Sequence, residues 1–190
     1  TSNNGLIDIN APVTLTGDSV ITSGTGGGNV DFSGAIDGGQ ALTLTSGTGN
    51  VVLGGAIGTN TAVSSLEINS TTLSIANNIT SNNGLIDINA PVTLTGDSVI
   101  TSGTGVGNVD FSSTISGGQN LDILSGTGNV IITGDIGGTA LTSLDINQSA
   151  GTGNITITGK IGTAAASGSG VTRIGNDGMT GTLTFGGIDY

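Results

Sequence analysis

The chain of 190 residues contains no cysteine, no histidine and no tryptophan, one tyrosine, three phenylalanines and two basic residues. Each shortage closes a class of chemistry. Without cysteine there is no disulfide and no thiolate, an economy common among large exported bacterial proteins. With neither histidine nor cysteine, and one lysine, one arginine and one tyrosine, few catalytic constellations can be assembled. Aromatic residues at 2% cannot fill a large compact core. The two bases, Lys160 and Arg173, face 13 acids for a net charge of −11, and residues 1–159 hold eleven of those acids and no base. Such a field repels phosphate backbones, which excludes nucleic acid as a partner and disfavours anionic membrane surfaces. No run approaches the 18 apolar residues of a membrane span, and no basic segment followed by an apolar one marks a signal peptide at Thr1. The sequence starts inside a repeat and without Met, as a fragment or a processed product would.

What the chain has in abundance is glycine, 37 residues, together with Ser, Thr, Asn and small apolar side chains. Residues 1–26, TSNNGLIDINAPVTLTGDSVITSGTG, recur letter for letter as residues 80–105, an offset of 79. Internal periodicity in a glycine-rich chain indicates an array whose units stack on copies of themselves. Regularly placed Val, Ile and Leu throughout argue against disorder, and no segment keeps a 3.6-residue period long enough for a helix.

A shorter period lies inside the long one. The pattern Asn-Val-x-Phe/Leu-x-Gly-x-Ile occurs from Asn29 to Ile36 and from Asn50 to Ile57, and in looser form from Asn108, Asn129 and Asn154. The first inward apolar residue of each turn is then Val13, Val30, Val51, Leu73, Val92, Val109, Val130 and Ile155, with uneven steps of roughly 17–25 positions. On this reading one 79-residue repeat is four coils of about twenty residues, a length that suits a parallel β-helix. Eight coils are expected in all. Alternation points Val30, Phe32, Ile36, Leu42 and Leu44 inward, glycine takes the corners, and Thr, Ser and Asp face solvent. Residues 1–162 form the solenoid, as repeats 1–79 and 80–158. The stretch 163–190 diverges, with Ala164 to Gly170 a loop or linker, and reads as a C-terminal coil, cap or docking segment.

Ser-Gly-Thr-Gly-Asn-Val at 46–51 and 125–130, Gly-Gly-Ala-Ile-Gly at 54–58 and Leu-Thr-Ser-Leu-Asp-Ile-Asn at 141–147 resemble the repeat regions of very large bacterial surface proteins, the filamentous-haemagglutinin-type adhesins. The similarity covers about residues 1–162. It implies an exported, elongated, right-handed parallel β-helix that projects from the cell and mediates adhesion, aggregation or biofilm cohesion.

The expected role is therefore structural and non-enzymatic, at the bacterial cell surface, with neighbouring repeats of a longer chain as partners. The alternative is a filament subunit, with identical copies stacked end to end, because an open solenoid end exposes unpaired strands. No cofactor is expected. The metal candidates are weak: Asp8 with Asp31, Asp87 with Asp110 and Asp122 with Asp145 share one sequence offset, near one coil, so neighbouring carboxylates would share a loosely bound calcium ion. The nonapeptide that builds calcium β-rolls is missing. A minor alternative is ice binding through the Thr-x-Thr pairs beginning at Thr14, Thr43, Thr93, Thr156 and Thr182, whose spacing is uneven.

Overall fold

The computed structural model describes residues 1–148, 151–162 and 171–186; the Ala164–Gly170 stretch and Tyr190 lie outside them. Among the described residues every regular element is a short β-strand, and the strands pair in parallel with counterparts one turn away. The protein is a β-solenoid. Its chain passes in order over three faces, beginning with Ile7–Ile9 on face I, Val13–Thr14 on face II and Ser19–Thr22 on face III.

Face III stacks eight strands from Ser19–Thr22 to Leu183–Phe185, whereas face I keeps strands for six rungs. Face II is a two-stranded and a five-stranded piece joined through Ile57, which bridges Ile36 to Ile79. About six turns are thus regular on all sides, fewer than the eight coils expected. The strands Val171–Ile174 and Leu183–Phe185 lengthen faces II and III at the C-terminal end of the stack.

The expected four coils per repeat also change. Ile7 pairs with Val30, Val30 with Val51, Val51 with Leu73 and Leu73 with Val92, all on face I. Val13 lies on face II, and Val109, Val130 and Ile155 lie on face III. The two shortest steps in the marker series, Val13 to Val30 and Val92 to Val109, therefore cross only two-thirds of a turn, because an inward valine looks the same on any face.

From Ile7 to its copy Ile86 the chain crosses eleven faces, or three and two-thirds turns. Each copy is consequently rotated by one face. The segment Ile7–Ile9 sits on face I, but its identical copy within Ile86–Asn89 sits on face III, beside Leu66 and Ile68 on one edge and Val109 and Phe111 on the other. Such a shift requires three interchangeable faces, which the low-aromatic core of similar-sized Val, Ile and Leu provides.

That core is continuous. Val30, Phe32, Ile36, Leu42 and Leu44 and their copies Val109, Phe111, Ile115, Leu121 and Ile123 are at most 1% exposed, as alternation in the sequence predicts. Corners are closed by buried serines: Ser46 and Ser125 each donate a hydroxyl hydrogen bond to the carbonyl of Gly49 and Gly128, both at 2.8 Å. Gly47 and Gly126, directly after them, have φ of 56° and 58°, a backbone that favours glycine. The Ser-Gly-Thr-Gly motif is a corner.

Candidate functional site

The solenoid gathers the outward carboxylates into ladders. On face I Asp8 is in register with Asp31; on face III Asp87 with Asp110; on face II Asp122 with Asp145. All three sequence-predicted pairs are brought together, each on a different face, and the pairs themselves are not. Two partners escaped sequence reasoning. Glu67 stacks on Asp87, making a run of three acids, and Arg173 stacks on Asp145 with Nη2 2.6 Å from Oδ2. The step from Glu67 to Asp87 is shorter than that from Asp87 to Asp110, so a fixed spacing misses it.

Stacking carboxylates one rung apart, about 4.8 Å, sets like charges against each other in a partly dehydrated row. Burial first, and then the neighbouring Asp8, raises the titration of Asp31 above the ordinary carboxylate value. Asp110 is raised by burial and by Asp87. Asp122 is raised by burial and by Asp145, with Arg173 working in the opposite direction. One carboxylate oxygen in each pair, on Asp31, Asp110 and Asp145, is enclosed and has no hydrogen-bond partner, which is costly for a charged group.

Corner aspartates behave oppositely. Asp97 accepts hydrogen bonds from the backbone and side-chain amides of Asn120, both at 2.9 Å, and these lower its titration. At Asp37 burial raises the titration, but hydrogen bonds from the Asn60 side chain and from backbone N–H groups of the 59–61 turn outweigh it and the net shift is downward. Asp18 and Asp135 likewise accept the N–H of the next rung, from Ala41 at 2.9 Å and Lys160 at 2.8 Å. These four aspartates pin corners.

The recurrent asparagine does the same work. Asn29 accepts from the N–H of Asn50, and Asn108, Asn129 and Asn154 accept in succession from Asn129, Asn154 and Thr182, at 2.8–3.0 Å. The five Thr-x-Thr pairs are spread over all three faces. Of their strand-borne threonines only Thr156 and Thr184 are direct neighbours, so no flat hydroxyl array forms from them. Phe32 and Phe111 are core residues, while Phe185 is 36% exposed on the last strand of face III.

Among the described residues no group of three or more Asp, Glu, His or Cys side chains is arranged to hold a metal ion, and no helix is long and apolar enough to cross a membrane. Compared with protein-family models, with characterised proteins and with solved structures, the chain has no match.

Proposed function

We propose that the chain is a rod-like repeat segment of a bacterial surface adhesin, extracellular and non-enzymatic, serving adhesion or biofilm cohesion. The observation that carries this reading is the junction at residue 80. There a second copy of the repeat joins the first with strands continuing on faces I and III, Ile86 and Ile88 in register with Leu66 and Ile68 and Val92 with Leu73, while face II is carried across by the bridges of Ile57 to Ile36 and Ile79. A unit that docks on its own end can be added again, which is how a rod gains length without new design. The inventory of side chains supports a structural role, since three acidic ladders on three faces present no base beyond Arg173 and Lys160. The resemblance of the Ser-Gly-Thr-Gly-Asn-Val and Leu-Thr-Ser-Leu-Asp-Ile-Asn motifs to adhesin repeats supports the cellular setting.

Immunogold labelling of intact producing cells, with antibody raised against the folded chain, tests the proposal. Label on projections outside the cell is the expected result. Label that appears only after permeabilisation overturns it.

A further inference from the structure

The two copies of the repeat differ completely on the outer surface of one strand while its core side is kept. Asn120–Leu124 is the counterpart of Ala41–Thr45 at the offset of 79, and its inward positions stay aliphatic, Leu121 for Leu42 and Ile123 for Leu44. All three outward positions change: Asn120 stands for Ala41, Asp122 for Thr43 and Leu124 for Thr45. The rotation of the repeat also moves them from face III to face II, between the strands Ser98–Thr101 and Ser143–Ile146.

Two hollows open around these three side chains. The first, of about 170 Å³, is lined by Asn120 and Asp122 together with Asp97, Asp145, Asn78 and Val99. Its lining holds three carboxylates and no base. The second, of about 300 Å³, lies where face II turns toward face III, and Leu124 and Thr101 line it with the corner residues Thr104, Thr127 and Thr152. No charged side chain lines it. An acidic hollow and an uncharged one with an aliphatic side chain thus lie side by side along one strand.

The row of acids already takes a cation one rung further on, where Arg173 places Nη2 2.6 Å from Oδ2 of Asp145. The other oxygen of Asp145 is enclosed without a hydrogen-bond partner. Burial and Asp145 both disfavour the charge of Asp122, and a cation seated beside it offsets that cost. Asp122 and Leu124 stand two positions apart on one side of a strand, roughly 7 Å. An extended peptide laid along them presents alternate side chains at the same interval.

The geometry points to a docking site on face II for an extended peptide of a partner protein in which a lysine or arginine and an aliphatic residue stand two positions apart. The base enters the acidic hollow, and the aliphatic side chain covers Leu124. Because Asn120–Leu124 is paired on both edges, the partner lies on the face and not along a sheet edge. The site stands on the hollows alone, so it goes beyond the rod reading and does not depend on where the rod is displayed.

Fluorescence anisotropy of a labelled peptide, acetyl-Thr-Lys-Thr-Leu-Thr-amide, titrated with the full chain tests the site. Saturable binding that weakens as salt is raised is expected. Asp122→Thr and Leu124→Thr, which install the residues the first copy carries as Thr43 and Thr45, should each weaken binding about fivefold or more. Replacing the peptide's lysine by glutamate, or its leucine by serine, should do the same. Glu67→Gln removes an acid from face III and should leave binding unchanged. Melting curves check that the variants are folded; if one is not, Asp122→Asn or Leu124→Ser takes its place. No saturable binding overturns the proposal. Equal weakening by Asp122→Thr, Leu124→Thr and Glu67→Gln overturns it too, as the mark of general attraction to an acidic rod, and so does binding that survives Leu124→Thr. Absence of binding leaves the rod reading standing, and an antigen found inside the cell leaves this site standing.

Discussion

Gly38 and Gly39 are adjacent and look interchangeable, but their surroundings differ. Gly38 has φ of 117°, and a Cβ built there falls 2.3 Å from the carbonyl oxygen of Leu15 in the rung before it; at Gly39 the nearest neighbour is a Thr61 methyl at 4.0 Å. Gly38→Ala should lower stability by roughly 1–3 kcal/mol through backbone strain and the forced separation of two rungs. Gly39→Ala should stay within about 0.5 kcal/mol of the parent. Thermal melting of the two variants checks this, and equal effects would contradict the packing of that corner. Phe111, 1% exposed in the middle of the stack, should cost about 3–5 kcal/mol on truncation to Ala. Because contacts in a solenoid run only between neighbouring rungs, amides near Ile115 should lose more protection from exchange than those near Ile21.

Among elements, the acidic ladders and the corner aspartates determine how stability follows pH. Asp31, Asp110 and Asp122 titrate above the ordinary carboxylate value in the folded chain. The folded state then binds more protons than the unfolded one between those two values, so this contribution is fully present below the unfolded value and is lost as pH rises through the folded one. Asp37 and Asp97 are shifted down, and their contribution is present above the unfolded value and is lost as pH falls through the depressed one. The melting temperature should therefore rise from pH 7 toward the ordinary carboxylate value, about 3.9, and fall below it. A maximum at neutral pH would contradict the ladder geometry. At pH 7 without divalent ions, Asp110→Asn should melt higher than the parent, since it removes the charge beside Asp87. If the ladder shares calcium, millimolar calcium at matched ionic strength should raise the parent's melting temperature more than the variant's. An unchanged parent curve removes the ion-sharing expectation.

For the whole molecule, the one-face rotation of each repeat has a direct geometrical signature. Asp8 and Asp87 occupy identical sequence surroundings and would lie about 19 Å apart, four rungs on one face, if the repeat were a whole number of turns. They lie on faces I and III instead. Spin labels at Asp8→Cys and Asp87→Cys should report a distance clearly longer than this in-line value, because the path crosses the core as well as climbing it. A distance equal to the in-line value would sink the rotation. The rotation also means that a surface feature of the unit returns to the same face only after three units, or eleven turns, so a long rod would display it on all sides.

Much of this architecture was legible in the letters. Alternation identified Val30, Phe32, Ile36, Leu42, Leu44 and their copies as core, since a strand gives each residue one of two faces and the apolar ones choose the inside. The duplicated segment announced a stack, and one recurring offset found three carboxylate pairs. The coil length was obscured because a buried valine reads the same on all three faces and the rung-to-rung step varies, so Val13 and Val109 passed for markers of one series. Glu67 beside Asp87 and Arg173 against Asp145 were hidden for the same reason: register in a parallel stack is set by how many residues each corner absorbs. Position in the stack was not in the letters at all. Residues 1–26 and 80–105 have one sequence and two environments, partly exposed at the end and buried inside, because in a solenoid burial depends on whether another rung lies on top.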